Sequence, residues 1–535
     1  MAIRQWAWVA VTAALITQLA TVWQVQYLPT QDGPIHVYNA SLPIMWPNVP
    51  SDGTASSSPR LLAYYESRDT LASWVPQRML GALVQTAGPA RAEQVLVSAY
   101  LLLMPCAAWW VVSGLRRENS VLAVLAALFS MNFPLAMGFY PFCLSLVASL
   151  AAIGCWVRPK RTHPAFLAVI AGLLVLCDLL HPFGLVAAGV GMGSLSIARA
   201  SMAGSDGRLR SWLRSLLRDW AALVVAAAPA LYLFVRYLES DGRGLAHLIP
   251  GPGRILLRLT TEPEWIAYSH AEWLPVVLGA AVPLALAVRS AWRRWLAGSK
   301  APEDGLALAA ALFAALYVAL PDAMAGGAYV GSRFVLWLAL CAALWAAAVP
   351  QSAARRDAVA LAAAAAVILL AVLHGRTYRA LDPLIAEHVT AVRTVPPHAT
   401  LVAFSTADRG DQPDLSVVLT RPRPFAHAAA RVGTASDVVL LVNYQAERGH
   451  FPVRFRPDAI TLDETRADLV PWDAPAWPTT DGRRAGDYVL VWGPLDPGAF
   501  PGSHLGDVLA VLERDYELVF VSQPRGLAHV WRRRP

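Results

Sequence analysis

The chain has 535 residues, 56% of them hydrophobic and only 15% charged, where an ordinary soluble domain carries roughly a quarter charged residues. This balance excludes a soluble globular protein and marks a membrane protein. A net charge of +7 could suit nucleic acid in a soluble chain, but no nucleic-acid motif is visible, and the placement of the basic residues explains the excess differently.

The first element, residues 6–26, is apolar throughout, longer than the core of a secretory signal, and lacks a small-x-small cleavage site, so it reads as a retained span. The loop that follows, 27–91, opens with "QDGPIHVYNA" and carries Asp32, His36, Glu66, Arg68 and Asp69. Its stretch "LASWVPQRMLGALV" has the periodicity of a helix lying along the membrane interface. A loop of this length between two spans is more than a linker. Pro29 and Pro34 bracket and stiffen Asp32, which is how a general base would be fixed near the bilayer surface. His36 can orient that carboxylate, bind the acceptor or serve as an interfacial structural residue.

A bilayer core of about 30 Å needs about 20 helical residues. Further apolar stretches at 93–113, 119–136, 139–157, 164–180, 182–198, 219–238, 273–290, 305–320, 333–349 and 357–373 bring the expected spans to eleven. Near Pro134, Pro141 and Pro182 two short runs can be one broken or re-entrant helix. The five cysteines all lie inside apolar runs and read as small buried hydrophobes. Lys and Arg cluster in alternate connections, among them "RPKR" at 158–161, "RSAWRRW" and "ARRD", and sparsely in the others. With basic flanks retained inside, the N-terminus is cytoplasmic, and an odd span count leaves the region after residue 374 outside with Asp32.

A charge within a spanning helix costs about 2.5 to 3.5 kcal/mol on insertion scales and needs a reason. In "LLVLCDLLHPFG", Asp178 and His181 fall on one helix face, either as a hydrogen-bonded helix end before Pro182 or as the polar wall of a substrate cavity. In "GGAYVGSRFVLW", Arg333 opens a span where its guanidinium can snorkel to headgroups or hold a phosphate, and Asp322 is a candidate partner. Asn132 and Tyr140 sit among aromatics that suit an interfacial belt. Glu262, Glu264, His270 and Glu272 match no standard metal spacing and read as a solvated loop.

Past residue 375 the alanine-rich runs give way to Asp, Arg and Pro, with strand-like "TLVAF", "VVLLVNY", "DYVLVWG" and "YELVFVS" and a helical "LGDVLAVLERDY". The expected organisation is a transmembrane domain over 1–375 and an extracytoplasmic α/β domain over 376–535. His427, Tyr444, His450 and nearby aromatics can stack on a sugar, although ordinary structural use is the simpler reading.

An acid just after the first span, a long first outer loop, about a dozen spans and an outer C-terminal domain resemble the GT-C superfamily of polytopic glycosyltransferases, of the mannosyltransferase and arabinose-transferase type. The pieces "QDGPIHVYNA", "GFYPFCLSL", "LLHPFGL" and "GSRF" carry the resemblance over about residues 1–375. It implies transfer of a sugar from a polyprenyl-phosphate-linked donor to a glycan, lipid or protein acceptor on the outer face of a bacterial cytoplasmic membrane. Asp32 is then the catalytic carboxylate, acting as base on the acceptor hydroxyl or helping to hold a divalent ion at the lipid phosphate, and Arg333 a contact of the donor phosphate. A divalent ion, Mg or Mn, is implied in many relatives by a second acid beside the first. Here Gly33 follows Asp32, so Glu66 or Asp69 would have to take that place. A transporter or lipid flippase, or a non-catalytic scaffold with an outer partner-binding domain, are the rival readings. Neither internal repeats nor midplane charges favour the transporter.

Overall fold

The computed structural model describes residues 2–42, 59–68, 74–203, 209–240, 265–321, 323, 327–407, 419, 421–431, 437–447, 451–461, 479–480, 483–484, 486–499 and 505–535. Asp69, Glu262, Glu264, Asp322 and His450 lie outside them.

Long apolar runs that must satisfy every backbone group internally become helices. In chain order the principal helices are α1 (Ala2–Trp23), α2 (Gly33–Ser41), α3 (Pro59–Tyr64), α4 (Trp74–Ala87), α5 (Pro89–Leu115), α6 (Tyr140–Trp156), α7 (Pro164–Leu180) and α8 (Pro182–Ala203). They continue with α9 (Leu209–Ser240), α10 (Trp273–Leu296), α11 (Asp304–Ala319), α12 (Val330–Ala348), α13 (Ala353–Val392) and α14 (Leu505–Asp515). Among the described residues seven helices are long and apolar enough to cross a membrane, and α6, α7 and α11 are shorter apolar helices. The protein is a polytopic α-helical membrane protein.

One expected span is not a single helix. Residues 119–136 fall into a 3-10 stretch (Arg117–Ala123) and two one-turn pieces (Val124–Ala127 and Phe133–Ala136). Asn132 is the cause: its side chain donates to the Phe129 carbonyl at 2.7 Å and accepts from the Leu135 N–H at 2.9 Å, ending one turn and starting the next just before Pro134.

The chain separates into two compact units. The first comprises residues 1–22, 97–135 and 140–375. Within it α6, α7, α8 and α9 pack together, α11 lies against α8 and α12, and α10 packs on α12. Its loop before α10 is tied down by Glu272, which accepts from the N–H groups of Ala267, Tyr268 and Ser269 at 2.6, 3.0 and 3.0 Å and meets His374 at 3.3 Å. Glu272 is therefore a buried cap and not part of a solvated loop, because three amides and an imidazole offset its desolvation.

The second unit comprises residues 23–96, 136–139 and 376–535, so the long first loop and the C-terminal region share one body. Its strands are β1 (Tyr65–Ser67), β2 (Thr400–Ser405), β3 (Val439–Leu440), β4 (Val453–Phe455), β5 (Tyr488–Trp492), β6 (Tyr516–Val521) and β7 (Ala528–Arg533). Five of them form a mixed sheet in the order β3-β2-β5-β7-β6. β2 runs parallel to β3 and β5, and β7 antiparallel to β5 and β6. α14 lies against β6. β1 pairs antiparallel with β4, with Glu66 opposite Arg454. Buried Tyr38 and Tyr65 stitch α2 and β1 to β3: Tyr38 donates to the Val438 carbonyl at 3.0 Å and Tyr65 to the Leu440 carbonyl at 2.5 Å.

Candidate active site

Asp32 sits at the N-terminal boundary of α2, with Pro34 in the first helical turn, where the fixed φ of proline and its missing N–H cost nothing. An aspartate here ordinarily caps the helix by accepting from one of its free amides. Asp32 makes no such bond. Its backbone is anchored instead: the Gln31 and Asp32 N–H groups donate to the carbonyls of Ala136 and Met137 at 3.1 and 2.9 Å. That approach depends on Gly138, at φ +79°, where an added Cβ would lie 2.5 Å from the Gly33 nitrogen and 3.0 Å from the Asp32 carbonyl carbon.

The released carboxylate is 4% exposed and accepts on both oxygens. Oδ2 accepts from the Tyr444 hydroxyl at 2.7 Å and Oδ1 from Gln31 Nε2 at 3.2 Å. His427 Nε2 stands 3.6 Å from Oδ1, too long for a good hydrogen bond. Burial pulls the His427 imidazole down to about 4, so near neutral pH this contact joins a neutral ring to a carboxylate and is not an ion pair. Tyr444 is itself held: Gln445 Nε2 donates to its oxygen at 3.0 Å, and Gln445 Oε1 accepts from Asn39 Nδ2 at 2.8 Å. The result is a hydrogen-bonded chain from α2 through Gln445 and Tyr444 to Asp32.

The loop is fastened on its other side as well. Thr30 donates to Glu93 at 2.6 Å, Arg431 pairs with Glu93 at 3.0 Å and also donates to the Leu28 carbonyl, and the Arg423 N–H donates to Gln31 Oε1 at 3.0 Å. A small cavity of about 20 Å³, room for little more than a water, lies beside this wall, lined by Ile35, Ala426, His427 and Leu440.

His36 belongs to the same wall, one helical turn beyond Asp32, with its ring edge-on to Phe451 at 5.9 Å. Glu66 does not join Asp32. It faces Arg454 at 2.6 Å and Arg456 at 3.9 Å across the β1–β4 ladder, where strand pairing commits it. Asp178, His181 and Arg333 belong to the first unit. His181 accepts from the Phe183 N–H through Nδ1 at 3.2 Å and so does not spend that nitrogen on Asp178, whose buried Oδ1 has no hydrogen-bond partner. His181 and Arg333 share a neighbour: Phe142 meets the imidazole edge-on at 5.8 Å, and the guanidinium lies 5.5 Å over the same ring. Arg333 is 8% exposed, so it is not a headgroup-seeking side chain on an open surface.

Sequence reasoning missed the role of Tyr444 and His427, which lie about 400 positions from Asp32. The one usable signal is the small-residue run "AHAAA" around His427, which permits close backbone approach.

A divalent ion does not fit Asp32 as built. Both carboxylate oxygens already accept from N–H or O–H donors, and among the described residues no three His, Cys, Asp or Glu side chains converge. No step below is routed through a metal.

No protein-family model matches this sequence, and no curated sequence matches it either. Solved structures do. ArnT from Cupriavidus metallidurans bound to undecaprenyl phosphate matches with a TM-score of 0.51 and 10% identity over 98% of both chains. The apo state of that protein matches at 0.46 and 11% identity over 99% of this chain and 98% of the other. Arabinofuranosyltransferase AftD from Mycobacteria matches at 0.46 and 14% identity, over 99% of this chain but 40% of that one. At these identities the likeness is one of fold alone: the chain shares the fold of ArnT.

Proposed function

We propose that the protein transfers a sugar from a polyprenyl-phosphate-linked donor to an acceptor hydroxyl on the outer face of the cytoplasmic membrane. The observation that carries this reading is the Asp32 carboxylate, withdrawn from helix capping and held by dedicated donors in a chain with the GT-C fold. The carboxylate takes the proton of the acceptor hydroxyl as its oxygen attacks the anomeric carbon. The bond from that carbon to the phosphate oxygen breaks, and polyprenyl phosphate leaves with the electron pair, inverting the anomeric centre. In the first unit, Arg333 is the cation assigned to the lipid phosphate, supported by its burial at the first turn of α12. The structure of ArnT with undecaprenyl phosphate supports the lipid class of the donor.

The test uses purified protein in vesicles with a panel of undecaprenyl-phosphate pentoses and hexoses, reading release of undecaprenyl phosphate. The reading expects acceptor-dependent release from one of them, and at least a tenfold weaker binding of undecaprenyl phosphate by Arg333→Ala, the scale of one lost charge-assisted contact. No release from any donor together with unchanged binding by the variant would refute it.

A further inference from the structure

We propose that Tyr444 is the positioning residue of Asp32, so that the C-terminal region supplies part of the transfer machinery itself and is not only an accessory binding domain. This deepens the reading above and rests on it.

Three observations lead to it. Tyr444 makes a short contact to the Asp32 carboxylate, at 2.7 Å, and points its hydroxyl as donor at Oδ2. While that hydroxyl donates to Asp32, its oxygen accepts from the Gln445 amide at 3.0 Å, which holds the phenol in place. The surroundings also fix where Tyr444 stands. Its ring lies between His427, at 5.0 Å, and Phe451, at 5.9 Å, and Asn39, Asn443 and Gln77 close the polar network behind Gln445. A phenol placed only for packing needs none of this.

The consequence is chemical. A hydrogen bond given to the charged form of a carboxylate favours that form and sets its orientation. Tyr444 keeps Asp32 ionised toward lower pH and fixes the direction in which the carboxylate faces. The described titratable or charged groups around Asp32 are Tyr444 and His427 in direct contact, His36 on α2, and the Glu93–Arg431 pair that grips Thr30 and Leu28. Tyr444 donates to the carboxylate at 2.7 Å, and Gln31 is a neutral donor at 3.2 Å.

The experiment measures modification of Asp32 by dicyclohexylcarbodiimide, which reacts with protonated carboxyls, from pH 4 to 9 by peptide mass spectrometry on the full chain in vesicles. Wild type is compared with Tyr444→Phe and Gln445→Met, with transfer measured on the same samples and Asp32→Asn as the reference. Loss of one donor to a charged acceptor moves the labelling midpoint up by about one pH unit in Tyr444→Phe, and by less in Gln445→Met, which only weakens the donor. The acidic limb of the transfer profile moves up with it. A merely structural tyrosine would lower activity equally at all pH values. Labelling midpoints that coincide in all three proteins would overturn the proposal and leave the assignment of Asp32 standing. Transfer retained by Asp32→Asn would instead bring down the reading on which it rests.

Discussion

At the scale of single residues the site is built by diverting side chains from their local roles. Asp32 occupies a capping position and does not cap, and His427 is buried as a neutral ring although an imidazole in water would be half protonated near pH 6.5. The second fact has a stability consequence. A histidine whose value is lowered on folding takes up protons more readily when unfolded, so its contribution is complete above about pH 6.5 and is lost as pH falls toward 4. The loss over that window is roughly 3 kcal/mol. His529 is lowered by burial too and adds a loss of the same sign. Thermal midpoints of wild type and His427→Gln should therefore converge as the buffer is taken from pH 7 to pH 4.5, the variant showing the flatter profile. Parallel profiles would mean that His427 is not held neutral by the fold.

At the scale of elements, much of the architecture was legible because the membrane and the sheet impose strong periods. The apolar runs other than 119–136, the helical "LGDVLAVLERDY" and the strand pieces "TLVAF" and "DYVLVWG" appear as α or β elements where expected. The stretch of helical period in the first loop forms α4, which buries Pro76, Gln77, Leu80 and Gly81. What failed was local. Residues 119–136 are apolar enough for a span, yet Asn132 supplies the competing hydrogen bonds that break the run, and hydropathy alone does not weigh them. "VVLLVNY" gives only the two-residue β3 before turning into a short helix that carries Tyr444.

One turn makes this element-scale reasoning testable. Gly138 and Gly88 both have φ near +80°, so alanine costs each about 1 kcal/mol of backbone strain. Gly88 has open space around a Cβ, whereas at Gly138 the new atom meets the backbone of Asp32 and Gly33. Gly88→Ala should lower the thermal midpoint slightly and leave transfer intact. Gly138→Ala should be the less stable of the two and lose at least tenfold in transfer, since Asp32 must move. Equal behaviour of the two variants in melting and transfer assays would show that the turn does not set the position of Asp32.

At the scale of the whole molecule, the candidate site was only partly legible. Asp32 and His36 stand out because they follow directly on the first span, where a buried acid needs a reason. His427 and Tyr444 were visible only as side chains able to stack on a sugar, and Gln445 not at all, because the contacts that join them to Asp32 span some 400 residues of sequence and leave no period to read. Glu66 looked like a second acid by proximity in the chain, and strand pairing takes it elsewhere. The compact unit that assembles around Asp32 draws on residues 23–96, 136–139 and 376–535, an arrangement that linear boundaries do not convey.

The decisive measurement is the turnover of an undecaprenyl-phosphate sugar by Asp32→Asn in vesicles, beside wild type at equal amounts of monodisperse protein. Asparagine preserves the size of the side chain and can still accept from Tyr444 or from Gln31, but it takes no proton. The account predicts an unchanged thermal midpoint within about 1 kcal/mol of stability and a fall in turnover of at least a hundredfold, the scale of general base catalysis. Turnover by Asp32→Asn within a factor of two of wild type would contradict it.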